Sequence, residues 1–201
     1  MPQILKKQIK EKIERAALDE FLSKGFLNAS MRIIAQNAQT STSNLYNYFD
    51  CKEKLFYSIT DEVYNIIKDL TNDLVHTERE IGREFFFEQV SNLIARPIKD
   101  LLKNHRKEFL LIMEGSQGTK YENFQEELVI IMEKHFAEHL QTIDNTTTKN
   151  VSDTFIFHIL ARNLLEGLLE ISRHYINDKW VDDNIEALMK YHVHGMAQFF
   201  K

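Results

Sequence analysis

The chain has 201 residues, of which 43% are hydrophobic, with only two prolines and six glycines. That supply of apolar side chains excludes wholesale disorder, and so few turn formers speak against an all-β fold. The net charge of −5 argues weakly against nucleic acid as a partner.

The average hides an asymmetry. Residues 1–55 carry nine Lys/Arg against six Asp/Glu, a net of +3, which leaves 16 against 24, a net of −8, for the remainder. A basic N-terminal segment on an acidic chain suits a protein whose N-terminal end alone meets a polyanion. No apolar run approaches the roughly 20 residues that span a bilayer. The opening "MPQILKKQIKEKIERAALDEF" lacks the apolar block of a signal peptide, and Cys51 stands alone, so no internal disulfide is expected. A cytoplasmic protein with no membrane contact is the expectation.

Residues 4–24 read as a helix: Ile9, Ile13, Ala16, Ala17 and Phe21 fall near a 3.6-residue period with charges between them. Gly25 suits the C-terminal cap, where positive φ is wanted. Ser30 is placed to cap the next helix, "MRIIAQNA", whose Met31, Ile34, Ala35 and Ala38 share one face. Thr40 or Ser41 caps a third, short helix with Leu45 and Phe49 turned inward. Asp50 opens a fourth, with Glu53 at capping-box spacing. Lys52 does not fit this scheme, because a cation in a first turn opposes the helix dipole.

Two short helices joined by a tight turn and packed through small residues form the helix-turn-helix pattern, in which the second helix enters the major groove. The stretch "TSTSNLYNYFDCK" supplies its outward face. Thr42, Ser43, Asn44, Tyr46 and Asn47 are short enough, or long enough in the case of tyrosine, to meet base edges and phosphates, with Thr40 and Ser41 beside them. Lys52, at the next helix start, offers a phosphate a charge and exposed N–H groups.

These residues resemble the TetR family of bacterial transcriptional regulators, whose usual pattern is G-[FY]-x-x-[ST]-[ST]-…-I-A-x-x-A-G-V-S-x-G-x-[LI]-Y-x-[YH]-F-x-x-K-x-x-[LM]. Gly25, Phe26, Ser30, Ile34, Ala35, Ala38, Ser41, Leu45, Tyr46, Tyr48, Phe49, Lys52 and Leu55 stand in register with it. Gln39 and Thr40 replace the glycine-valine pair, Ser43 replaces the second glycine and Ala29 a common threonine. The resemblance implies an all-α protein, with a three-helix helix-turn-helix domain over 1–52 and a helical effector-binding and dimerisation domain over 53–201. It implies that Ser30 and Arg32 approach the DNA backbone and that Thr42, Ser43, Asn44 and Asn47 lie nearest the bases. Tyr46, Tyr48 and Lys52 would hold phosphates. If Gln39 takes the left-handed conformation of the glycine it replaces, it stores roughly 1–2 kcal/mol.

The remainder reads as helical over 53–76, 85–104, 105–115, 122–143, 151–175 and 182–200, with Pro97 expected to kink or divide its helix and "DNTTTKN" as a polar loop. The resemblance implies that the last two helices pair with those of a second subunit. The apolar stripes offered are Phe155, Ile159, Leu165 and Leu169, then Ile185, Leu188, Met189, His192, Met196 and Phe199. It also implies a small-molecule effector among the middle helices. Phe86, Phe109, Met113, Phe124, Phe136 and Phe155 suit a lipophilic or aromatic ligand, and Glu166, if buried, a cationic one. The function expected is therefore a ligand-responsive regulator, by family default a repressor, that binds a pseudo-palindromic operator as a homodimer.

Rival readings are thinner. No phosphate loop, dinucleotide turn or activated nucleophile is present, so neither an enzyme nor a cofactor is expected. His135 and His139 have zinc-chelating i, i+4 spacing, but Glu133, Lys134 and Glu138 around them suggest a solvated face, and no metal site is assigned. The alternative is a helical ligand-binding or metal-binding protein without DNA-binding activity.

Overall fold

A computed structural model describes residues 3–80, 83–143 and 155–197, with side chains described for 6–73, 94–137 and 155–195. The side chains of Phe86, His139 and Met196, and all of Phe199 and the loop 144–150, lie outside the described residues. Every element among the described residues is an α-helix: α1 (Gln3–Asn28), α2 (Met31–Asn37), α3 (Thr42–Tyr46), α4 (Lys52–Glu80), α5 (Arg83–Asn104), α6 (Arg106–Glu114), α7 (Phe124–Ile143), α8 (Phe155–Arg173) and α9 (Asp178–Ala197). The all-α expectation is met. The chain forms two compact units. One holds Met1–Asn65 with His105–Phe124, and the other holds Ile66–Asn104 with Gln125–Lys201.

In the first unit α1 buries Ile13, Ala16, Ala17 and Phe21, the expected face. Its path breaks at Gly25, at φ 70° and ψ 165°, a region that only glycine occupies without strain. Helical backbone then resumes to Asn28, beyond the end expected at Gly25. The break returns Phe26 to the core. Its N–H donates to the Gly115 carbonyl at 2.8 Å, and its ring meets Phe56 edge-on at 5.2 Å, as Phe21 also does. Each such ring pair contributes about 0.5–1.5 kcal/mol beyond its burial. Three chain segments distant in sequence are thereby joined at one point.

Helix α6 packs on α1, where Lys107 pairs with Asp19 at 3.1 Å. The loop after α6 is fastened to the first part of α4. The Tyr121 ring stacks on Tyr64 at 4.6 Å, and its hydroxyl donates to Asp61. Burial, and then Asp61, push that hydroxyl's pKa well up. Lys120 pairs with the same Asp61 at 3.1 Å and lies 4.3 Å from the Tyr57 ring centroid.

In the second unit α5 runs along α9, with Lys103 to Asp182 at 2.6 Å and Lys99 to Glu186 at 3.9 Å. Pro97 does not divide α5. A helix-interior proline costs about 3 kcal/mol, and packing against a neighbouring helix along its length offsets such a loss. Helix α9 begins four residues before the position expected from its apolar stripe, because Asn177 Oδ1 accepts the Trp180 N–H at 2.9 Å and caps it.

The stripes assigned to a second subunit are largely filled from within. Leu165, Leu169, Ile185, Met189 and His192 are buried in the chain's own core and Leu188 is half-buried, whereas Phe155 is 65% and Ile159 39% exposed. His135 is also buried, contrary to the solvated face expected from its neighbours. Helical rotation turns Lys134 outward and His135 inward. Among the described residues no group of three His, Cys, Asp or Glu side chains is arranged to hold a metal.

His192 is 5% exposed, and its Nε2 has no hydrogen-bond partner among the described residues. Its ring lies 5.5 Å from that of Phe136. Burial lowers its pKa to about 4, below the unfolded value of about 6.5. The unfolded chain therefore takes up this proton first as pH falls. Stability should be undiminished above about pH 6.5, fall by about 3 kcal/mol between there and pH 4, and level below. Unfolding free energies from urea titrations of wild type and His192→Met across this range should diverge by that amount; parallel profiles would place the titration elsewhere.

Candidate nucleic-acid interface

Helix α2 buries Ile34 and Ala35 and ends in a Schellman motif. The Thr40 N–H donates to the Ala35 carbonyl at 2.9 Å and the Gln39 N–H to Gln36 at 3.0 Å. The motif requires positive φ at Gln39, and φ there is 55°. The left-handed conformation expected if Gln39 takes over a glycine's place is the one observed.

Helix α3 follows at once. Ser41 is its N-cap, with Oγ accepting the Asn44 N–H at 3.0 Å. Its five residues are too few to be stable alone. Leu45, fully buried, and Phe49, 4% exposed and just past the helix end, hold it to the unit. With these turned inward, Ser43, Tyr46 and Asn47 are exposed and Thr42 and Asn44 half-buried. Asn44 Nδ2 donates to Thr40 Oγ1 at 2.8 Å, so part of this amide is held locally. Tyr48 is half-buried beside Phe49. Lys10 of α1 reaches the same corner, with Nζ 5.8 Å from the Phe49 ring centroid.

At the start of α2, Arg32 is exposed and Ser30 half-buried. Ser30 holds the N-cap position, but its side chain makes no capping bond. Its N–H is instead bound by the Glu20 carboxylate at 3.2 Å. The fourth helix starts at Lys52 rather than Asp50, and the Leu55 N–H donates to the Cys51 carbonyl at 3.3 Å. The Glu53 carboxyl is held below its usual range by its own backbone N–H and then by Cys51.

Lys52 has a different setting from the one its position suggests. Its Nζ donates to the carbonyls of Leu27 at 3.0 Å and Ala29 at 3.2 Å and lies 4.6 Å from the centre of the Phe26 ring. The ammonium ties the end of α1 to the start of α4, which accounts for a cation in an unfavourable first turn. Nothing local signals this, since its partners are 23 and 25 residues away.

The effector residues expected from the sequence fall in both units. Phe109, Met113 and Phe124 are buried in the first and Phe136 in the second. Phe155 is exposed, and so is Glu166, which pairs with Arg173 at 2.6 Å; a buried carboxylate for a cationic ligand is not supplied at that position.

Two substitutions test the local geometry. Gln39→Gly should raise unfolding stability by about 1 kcal/mol, because the left-handed cost of a β-carbon disappears; a loss would mean that the side chain does something the backbone does not show. Lys52→Met should lower stability by about 1 kcal/mol and leave the salt dependence of duplex binding unchanged. A slope smaller by about one per subunit would show that the ammonium reaches a phosphate.

Residues 13–59 match the family model described as bacterial regulatory proteins, tetR family. In fold the chain is similar to NalD, the secondary repressor of the MexAB-OprM multidrug efflux pump in Pseudomonas aeruginosa, at 19% identity over 96% of this chain and 98% of that one, with a TM-score of 0.58. It is also similar to AibR, solved with isovaleryl coenzyme A and operator DNA, at 17% identity over 89% and 96% of the two chains and a TM-score of 0.57. FadR from Bacillus subtilis, solved with stearoyl-CoA, is similar at 15% identity over 92% and 98%, with a TM-score of 0.52. No curated protein matches the sequence. The TetR resemblance and the pairing of a helix-turn-helix segment with a helical remainder are borne out.

Proposed function

We propose that this chain is a ligand-responsive transcriptional regulator that binds a pseudo-palindromic operator as a homodimer and acts as a repressor released by a small molecule. The observation that carries the reading is the polar, outward face of α3, fixed by the Ser41 cap and the burial of Leu45 and Phe49, inside the segment that matches the family model. Ser43 and Asn47, both exposed, and the less exposed Thr42 and Asn44 read base edges. Ser30, Arg32, Tyr46 and Tyr48 meet phosphates and fix the register. Lys52 serves by holding α1 and α4 together beneath that surface. The function is one of binding and release, with no catalytic step, and it is exercised on the nucleoid in the cytoplasm. No described helix is long and apolar enough to cross a membrane.

The fold supports a route for release. The unit that carries α2 and α3 also contains α6 and the loop fastened at Tyr121, so a ligand that shifts this later part of the chain acts on the helix-turn-helix unit directly. A ligand lowers DNA affinity only as far as it prefers the conformation in which two such units are wrongly spaced for successive major-groove faces. The effector is lipophilic or aromatic; two fold relatives hold acyl-coenzyme A ligands, which favours an acyl chain. Exposed Phe155 and Ile159 on α8 offer apolar surface to a second copy.

Selection of bound duplexes from a random pool, repeated with acyl-coenzyme A thioesters and lipophilic aromatics, tests this. A palindromic consensus whose recovery drops with one ligand class is expected. Asn47→Ala should blur the consensus at one position per half-site, at about 1–3 kcal/mol of lost discrimination. No enrichment from the pool at modest salt would sink the regulator reading.

A further inference from the structure

Besides the face of α3, the first unit has an open depression of about 350 Å³ between the middle of α1 and the turn that follows α2. Its rim carries Lys12, Arg15, Asp19, Asn37 and Gln39, and Ala16 lies in its floor. The charges around it are unequally matched. Each acidic residue of α1 has a partner: Glu11 has Lys7 at 3.9 Å, Glu14 has Lys10 at 3.5 Å, Asp19 has Lys107 at 3.1 Å, and Glu20 accepts the Ser30 N–H. Lys12 and Arg15, one helical turn apart and both exposed, have no ion pair or hydrogen bond among the described residues. With Asp19 already neutralised by Lys107, the depression carries two unmatched positive charges. The Asn37 side-chain amide stands opposite as a further hydrogen-bond donor.

We infer that this depression is a phosphate site, and that the phosphate it takes belongs to the DNA backbone outside the base pairs read by α3. The inference rests on the regulator reading above. Two features favour the duplex over a free anion. The wall of the depression formed by Asn37 and Gln39 is the turn that delivers α3, so a strand lying against α3 is carried past it. The site is open to solvent, which suits a polymer passing over it better than a small anion that must be enclosed. A guanidinium and an ammonium side by side match the oxygens of a phosphodiester with charge-assisted bonds. These contacts hold any sequence equally and extend the footprint without altering its consensus.

The test uses the full chain and the duplex obtained by selection. Binding is measured against salt for wild type, Lys12→Gln/Arg15→Gln, the charge-keeping Lys12→Arg/Arg15→Lys, and Lys190→Gln on α9 as a control for net charge. The slope of log K against log salt is expected to fall by about 2 per subunit in the Gln pair, with binding on the order of 10- to 100-fold weaker at 0.1 M salt. The consensus and the unfolding midpoint should stay unchanged, the charge-keeping pair should restore the slope, and the control should not move it.

An unchanged slope in the Gln pair overturns the inference while leaving the regulator reading intact. A consensus altered by the Gln pair also overturns it, since a backbone contact carries no base preference. A separate arm titrates inorganic phosphate against the NMR signal of the Asn37 side-chain amide without DNA. A shift there that the Gln pair abolishes, together with an unchanged DNA slope, would assign the site to a free anion and overturn the backbone source. Failure of the wild type to bind any duplex removes the regulator reading, and this inference with it.

Discussion

A five-residue helix has no stability of its own, and everything proposed for this protein depends on how α3 is held. Too few intrahelical bonds form to repay nucleation, so its geometry is imposed from outside. The Schellman turn at Gln39 sets its direction, Ser41 satisfies an orphan donor at its start, and Leu45 and Phe49 bury its inner side. An outward face of hydroxyls, an amide and a tyrosine is left over, in one orientation. Rigidity at this scale suits groove reading, since a donor displaced by an ångström loses its base.

The scaffold behind α3 is held by two devices of different physics. The Phe21–Phe26–Phe56 cluster is non-polar and buried, and it exists because Gly25 lets the backbone turn where any β-carbon is strained. Lys52 is polar and partly exposed, and it gathers two carbonyls and a ring face from the end of α1. Both converge on Phe26. The chain thus connects α1, the approach to α2 and the start of α4 at one side chain, and the surface offered by α2 and α3 inherits its position from that junction.

The same unit recruits chain from far along the sequence. Helix α6 and the loop to Phe124 belong with the helix-turn-helix segment, through the Gly115 carbonyl, the Lys107–Asp19 pair and the Tyr121–Asp61–Lys120 group on α4. Packed interiors pass displacement on instead of absorbing it, so a shift in α6 or its loop reaches the helix-turn-helix segment. In the second unit the burial of His192, whose Nε2 has no hydrogen-bond partner among the described residues, ties stability to pH.

Periodicity and turn chemistry in the sequence determined the helical stretches of the described residues, most of the α1, α2 and α3 core positions and the helix-turn-helix pattern, and the family resemblance pointed to left-handed backbone at Gln39. These are local matters, settled by neighbours within about four residues, and the residue order states them. Only the tertiary structure decided where Lys52 sends its ammonium, that Glu20 and not the Ser30 hydroxyl serves the start of α2, and that α6 belongs with the N-terminal segment. It also decided that His135 and most of the stripes assigned to a partner face the chain's own core. Each of these depends on a group 10 or more residues away in the chain or on which side of a helix meets another, and spacing along one element carries no record of what lies opposite it.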